Sequence, residues 1–148
     1  MKDIKKLEIE AYIQATEDSE KVFTAIRNII PPEIRDDENK FITNNVRGVY
    51  HNPITIVRVK YLQKARQIVE YIAKLLSESD KKYLFQTMKR RIDKGNLYLR
   101  FGKQELYQNK LMIKEIQDMV KLRIGFSSRY STQEKMTETL RKIGLIKA

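Results

Sequence analysis

The chain has 148 residues, 41% of them hydrophobic and 33% charged, with a net charge of +11 at pH 7. That length can bury a core and is read as one domain over 1–148. Without cysteine there can be no disulfide, thiolate metal site or cysteine nucleophile, and no apolar run approaches the roughly 20 residues of a membrane-spanning helix.

The charge is one-sided. Residues 1–57 hold 8 Lys and Arg against 10 Asp and Glu, whereas residues 58–148 hold 22 against 9, a local net of +13. Such an excess repels itself in a compact fold, and polyanions, nucleic acid ahead of membrane surfaces, are the partners it suits. Met1-Lys2-Asp3-Ile4-Lys5-Lys6 leads straight into a strand pattern with no signal-peptide core, so a cytoplasmic location is expected.

Leu7, Ile9, Ala11, Ile13 and Ala15 alternate with Glu8, Glu10, Tyr12 and Gln14, which predicts a strand with one dry and one wet side. Thr16-Glu17-Asp18-Ser19-Glu20 supplies caps and first-turn acids for a helix with Val22, Phe23, Ile26, Ile29 and Ile30 on one face. Pro31-Pro32 should stop it. Residues 33–47 carry little pattern; Asp36-Asp37-Glu38-Asn39 reads as a polar loop, and Phe41 and Ile42 as marginal core contacts.

Gly48 to Pro53 reads as a strand end and tight turn containing the single histidine, His51, beside Asn52. A second strand covers 54–62. Its apolar residues change face between Ile56 and Val57, which suggests either a bulge or two partly covered faces, and Arg58 and Lys60 point to the wet side. Residues 64–76 carry the helical stripe Ala65, Ile68, Val69, Ile72, Leu75 and Leu76. Ser77-Glu78-Ser79-Asp80 then caps a helix to about Ile92, with Leu84, Phe85, Met88 and Ile92 inward and Lys81, Lys82, Lys89, Arg90 and Arg91 on its polar sides.

Gly95, placed as a left-handed helix stop, opens the clearest strand. Leu97, Leu99 and Phe101 face the core; Asn96, Tyr98 and Arg100 face out, and Lys103 and Gln104 follow Gly102 just past its end. A turn or single helical turn over 103–109 and a short strand at 111–113 come next. Val120, Leu122, Ile124 and Phe126 alternate with Lys121, Arg123 and Gly125 in the final strand. Ser131-Thr132-Gln133-Glu134 caps a last helix carrying Met136, Leu140 and Ile143, which Gly144 ends.

Strands that alternate apolar and polar have one packed face and one open face. The fold class is therefore α+β, a two-layer sandwich with a mainly antiparallel sheet and its helices on one face. The open face should carry Tyr12, Arg58, Lys60, Tyr98, Arg100, Lys121 and Arg123, with Glu8 and Glu10 at its acidic end. Basic and aromatic groups on a sheet suit single-stranded or irregular RNA, through phosphate contacts and stacking. Phosphate-binding glycine loops, histidine metal-ligand sets and a Gly-x-Ser-x-Gly nucleophile motif do not occur, so no cofactor is expected.

Three stretches together resemble a family: Ala15 to Val22, Gly48 to Ile54, and Gly95 to Gln104. In order and spacing, residues 6–126 look like small archaeal RNA-binding proteins labelled predicted exosome subunits. The resemblance implies a fold similar to the ribosomal protein that binds 5S rRNA and an RNA-binding role without catalysis. RNA is the implied partner, with exosome- or ribosome-associated proteins as further ones. It places His51, Asn52, Arg100, Lys103 and Gln104 on the family's recurrent motifs. The sequence departs at Gly102, where the family has an acid, and at His51, where it has a glycine. Residues 127–148 would be a C-terminal helical extension to a common domain of about 1–126. Two alternatives stay open: a carboxylate- and metal-dependent nuclease using Asp36, Asp37, Glu38, Glu8 or Glu10, and a protein-assembly subunit without direct RNA contact.

Overall fold

The computed structural model describes residues 3–35, 41–48 and 50–148. In chain order the elements are β1 (Ile4–Gln14), α1 (Ser19–Arg27), β2 (Ile42–Arg47), β3 (Pro53–Tyr61), α2 (Ala65–Leu75), α3 (Glu78–Arg91), β4 (Ile92–Asp93), β5 (Asn96–Gly102), α4 (Lys103–Tyr107), β6 (Met119–Phe126) and α5 (Gln133–Ile143). The strands form a six-stranded sheet in the order β2-β3-β1-β6-β5-β4, with every pair antiparallel.

Alternation in the sequence becomes two chemically different faces because the pairing registers keep like with like. Ile9 lies opposite Val59 on β3 and Leu122 on β6, and Leu122 lies opposite Leu99 on β5. All four are at most 1% exposed and belong to one core with Ile26 of α1, Ile68 and Ile72 of α2, Leu84 of α3 and Met136 and Leu140 of α5. The helices cover that face of the sheet, so the two-layer α+β sandwich is the observed architecture. The last helix packs into the same core, and Leu145, just beyond Gly144 at φ 92°, is fully buried.

Local chemistry starts and stops the helices. Asp18 accepts the Glu20 N–H at 3.0 Å and starts α1; Ser77 and Thr132 start α3 and α5 in the same way. α1 ends at Arg27, ahead of the two prolines, and Ile29 and Ile30 reach the core from the turn that follows.

Other expectations are corrected. Residues 42–47 form strand β2, whose side chains are all exposed and so leave no alternation to read. For β3 the second alternative holds, two partly covered faces and no bulge: its register with β1 runs unbroken from Leu7↔Tyr61 to Gln14↔Ile54, and Ile54 and Ile56 are half-buried on the open face in line with Arg58 and Lys60. The irregularity lies instead between Ile4 and Lys6 of β1. Gly95 is not a helix stop. With Lys94 it makes the two-residue β4–β5 turn, both at positive φ (80° and 49°), as a primed hairpin turn requires. Leu75, placed in the apolar stripe, is 44% exposed, and Ile42 is 62% exposed. The Asp36-Asp37-Glu38-Asn39 loop lies outside the described residues.

Candidate nucleic-acid interface

Strand order assembles the open face into two adjacent cross-strand rows. One runs Arg58 (β3), Glu10 (β1), Lys121 (β6), Arg100 (β5). The other runs Lys60, Glu8, Arg123, Tyr98 over the same four strands. Neighbouring strands sit about 4.8 Å apart, so each row spans roughly 14 Å. The rows are two residues apart along the strands, roughly 7 Å. Five cations and one tyrosine from four strands thus share one surface with two carboxylates.

The two acids are in the middle of this surface, not at one end, because β1 is a central strand. Glu10 Oε2 accepts from Arg58 Nε at 2.8 Å, and Glu8 accepts from Arg123 Nη2. Burial disfavours the Arg123 cation, but the bonds to Glu8 and Tyr98 outweigh it and raise its pKa. Lys121 Nζ lies 5.4 Å from the centroid of the Tyr98 ring, a cation–π contact that already covers one side of that ring. The side chains of Lys60 and Arg100 are exposed and make no hydrogen bond or close ion pair among the described residues.

Basic character continues around the β5 edge. Glu115, beyond that edge, receives Arg91 Nη2 and lies 3.7 Å from Arg90 Nη2. Burial pushes the Glu115 carboxyl up, but the bond from Arg91 and the charges of Arg91, Arg90 and Arg100 outweigh it and hold its pKa low. Arg90 also donates to Tyr83 Oη at 2.8 Å. The sequence showed these arginines as the polar side of a helix; their meeting with Arg100 around one carboxylate depends on how α3 packs on β5.

Lys103 departs from its expected role. A lysine just past a strand end is expected to be exposed, yet the residue is 5% exposed. Its Nζ donates to the Tyr12 carbonyl at 2.7 Å and to both Glu17 oxygens at 3.1 Å, and lies 3.0 Å from Asp118 Oδ1. Three oxygen-bearing partners hold it inside, where it ties together the ends of β1, β5 and β6. Gln104, next in sequence, is exposed.

His51 and Asn52 lie at the β2–β3 turn, at the same end of the sheet as Gly102 but three strand steps away in sheet order. His51 N–H donates to the Gly48 carbonyl at 2.9 Å and Gly48 N–H to the Asn52 carbonyl at 2.8 Å. His51 has φ 61°, which a glycine adopts without strain. That explains the glycine expected there. The acid expected at position 102 also has a spatial counterpart: a Cβ on Gly102 would lie 1.9 Å from Glu105 Oε1, so the Glu105 carboxylate fills that space.

Among the described residues no group of three or more His, Asp and Glu could hold a metal ion, and no helix is long and apolar enough to cross a membrane. Glu8 and Glu10, two of the carboxylates weighed for a nuclease, are each engaged by an arginine.

A family model described as RNA binding matches residues 6–126. RNA-binding protein PAB1135 of Pyrococcus abyssi is 31% identical over 139 residues, covering 92% of this chain and 90% of its own. The structure of Mth689, a DUF54 protein from Methanothermobacter thermautotrophicus, is similar with a TM-score of 0.76 at 26% identity, over 95% of this chain and 98% of its own. SSO0741 from Sulfolobus solfataricus is similar with a TM-score of 0.72 at 27% identity, over 93% and 98%. The chain belongs to this RNA-binding family, whose relatives here are archaeal.

Proposed function

We propose that this protein binds RNA, without catalysing a reaction on it, across the open face of its sheet. The observation that carries the reading is the pair of rows in which Arg58, Lys121 and Arg100 lie beside Lys60, Arg123 and Tyr98. Lys60 and Arg100, whose side chains make no hydrogen bond or close ion pair among the described residues, serve as the leading phosphate contacts. Arg58, Lys121 and Arg123 hold acids or a ring in the free protein and exchange part of those contacts for phosphate. A row length of roughly 14 Å spans a few nucleotides of an irregular or single strand. RNA processing or ribosome function is the setting this reading implies.

The test is a titration of labelled RNA with the parent protein and with Arg100→Ala and Lys60→Ala. Weakened binding with unchanged melting supports the face; unchanged binding in both variants rejects it.

A second reading, a protein-assembly role, is favoured at one place. Edge strand β2 exposes Ile42 (62%) and Val46 (40%) on the same side of the sheet. Exosome- or ribosome-associated proteins are the partners proposed for that edge. Partner capture that survives nuclease treatment supports it, and capture lost with the RNA rejects it.

A further inference from the structure

Two of the stretches singled out in the sequence, Ala15 to Val22 and Gly95 to Gln104, are far apart in the chain yet contribute residues, with Tyr107, to the lining of one cleft of about 310 Å³. It opens at the end of the sheet where β5 gives way to α4. Its charged groups other than Lys21 are already committed. Lys103 is held by Glu17, Asp118 and the Tyr12 carbonyl; Glu17 also accepts the Gln14 N–H, and Asp18 caps α1. Apart from the exposed Lys21 ammonium, the groups left free are neutral. The Gln104 amide and the Thr16 hydroxyl are exposed and make no hydrogen bond among the described residues. Tyr107, 41% exposed, carries only the Lys21 ammonium, 5.3 Å from its ring centroid.

We infer that this cleft receives one unstacked RNA base, an inference that rests on the RNA-binding reading of the sheet face. A neutral, planar heteroaromatic group is what the free groups recognise: a ring to stack on, with an amide and a hydroxyl to meet donors and acceptors on its edge. A phosphate would instead meet Glu17 and Asp18 with no uncommitted cation but Lys21. Base stacking on Tyr107 is stronger than an exposed cation–π contact, so a base displaces Lys21, which is then free to contact a flanking phosphate. The position also suits the chain's path. Gly102 follows Arg100 by two residues, roughly 7 Å along the strand. The next two residues, Lys103 and Gln104, line the cleft, so it lies at the end of the strand that carries Arg100.

The experiment compares a short unstructured RNA strand with a blunt RNA duplex, against the parent protein, Tyr107→Ala, Tyr107→Phe, Gln104→Ala and Arg100→Ala, with melting recorded for each. Tyr107→Ala should raise the single-strand Kd about tenfold, the effect of one lost base–aromatic stack, and leave duplex binding within about twofold. Tyr107→Phe should keep parental affinity. If Tyr107→Ala and Gln104→Ala bind the single strand as the parent does while Arg100→Ala weakens both RNAs, the cleft assignment is overturned and the sheet-face reading stands. If the parent binds neither RNA, both fall together.

Discussion

The Lys103 ammonium lies 3.1 Å from both carboxylate oxygens of Glu17, a residue 86 positions away in the chain. With Asp118 and the Tyr12 carbonyl it closes a polar knot at one end of the sheet. The expected outcome of Lys103→Ala is therefore a stability loss of about 2–3 kcal/mol, since it leaves two carboxylates and a carbonyl without their cation. Half exposure of Asp118 keeps the loss below that of a fully buried pair. Denaturant unfolding checks it. An unchanged midpoint would mean the knot contributes nothing.

Glu10 neutralises Arg58 in the middle of the proposed RNA face. Glu10→Gln should cost under about 1 kcal/mol of stability, as an exposed pair does. It should tighten RNA binding about two- to threefold at low salt, from one charge removed at roughly 8 Å in water. The gain should vanish at high salt. Weaker binding at low salt would show that Glu10 positions Arg58 and does not merely oppose the RNA.

Asp3 gives the clearest pH signature. Burial pushes its carboxyl up, but bonds from Arg66 and the Ile4 N–H outweigh this and hold its pKa below the ordinary value. A carboxylate with a depressed folded pKa stabilises fully above its unfolded value, near pH 4. That contribution is lost as pH falls through the lower folded pKa. Asp3→Asn should thus be less stable than the parent by about 1–3 kcal/mol at pH 7, with the difference shrinking toward pH 2. A difference constant from pH 7 to pH 2 would contradict the ion pair as its source.

His51 holds φ 61° in the β2–β3 turn. His51→Gly relieves a left-handed strain of roughly 1–2 kcal/mol and adds about 0.5–1 kcal/mol of unfolded-state entropy. The expected net is unchanged stability or a gain of up to about 1.5 kcal/mol, read by thermal melting. A clear loss would show that the imidazole itself makes a needed contact.

The strands that build the core were readable because a half-buried strand writes its geometry as period two. Leu97-Tyr98-Leu99-Arg100-Phe101 told which side chains were core and which were open. β2 was not readable: with every side chain exposed, it is a strand only through its pairing with β3. The basic face was legible as a set of residues, but not as an arrangement. Only the strand order puts β1 at the centre and so sets Glu8 and Glu10 among the cations. Lys103 was misplaced for a related reason. A lysine beyond a strand end reads as exposed, and its burial depends on Glu17 and Asp118, which reach it through the fold.

The most direct test of the sheet face is the salt dependence of RNA affinity for the parent and for the double variant Arg100→Ala with Lys121→Ala. Each phosphate neutralised on a single strand contributes about 0.7 to the log–log slope, so removing two contacts should lower it by about 1.4 and weaken binding, with melting nearly unchanged. Equal affinity and equal slope in a folded double variant would contradict the account and place the RNA elsewhere on the molecule.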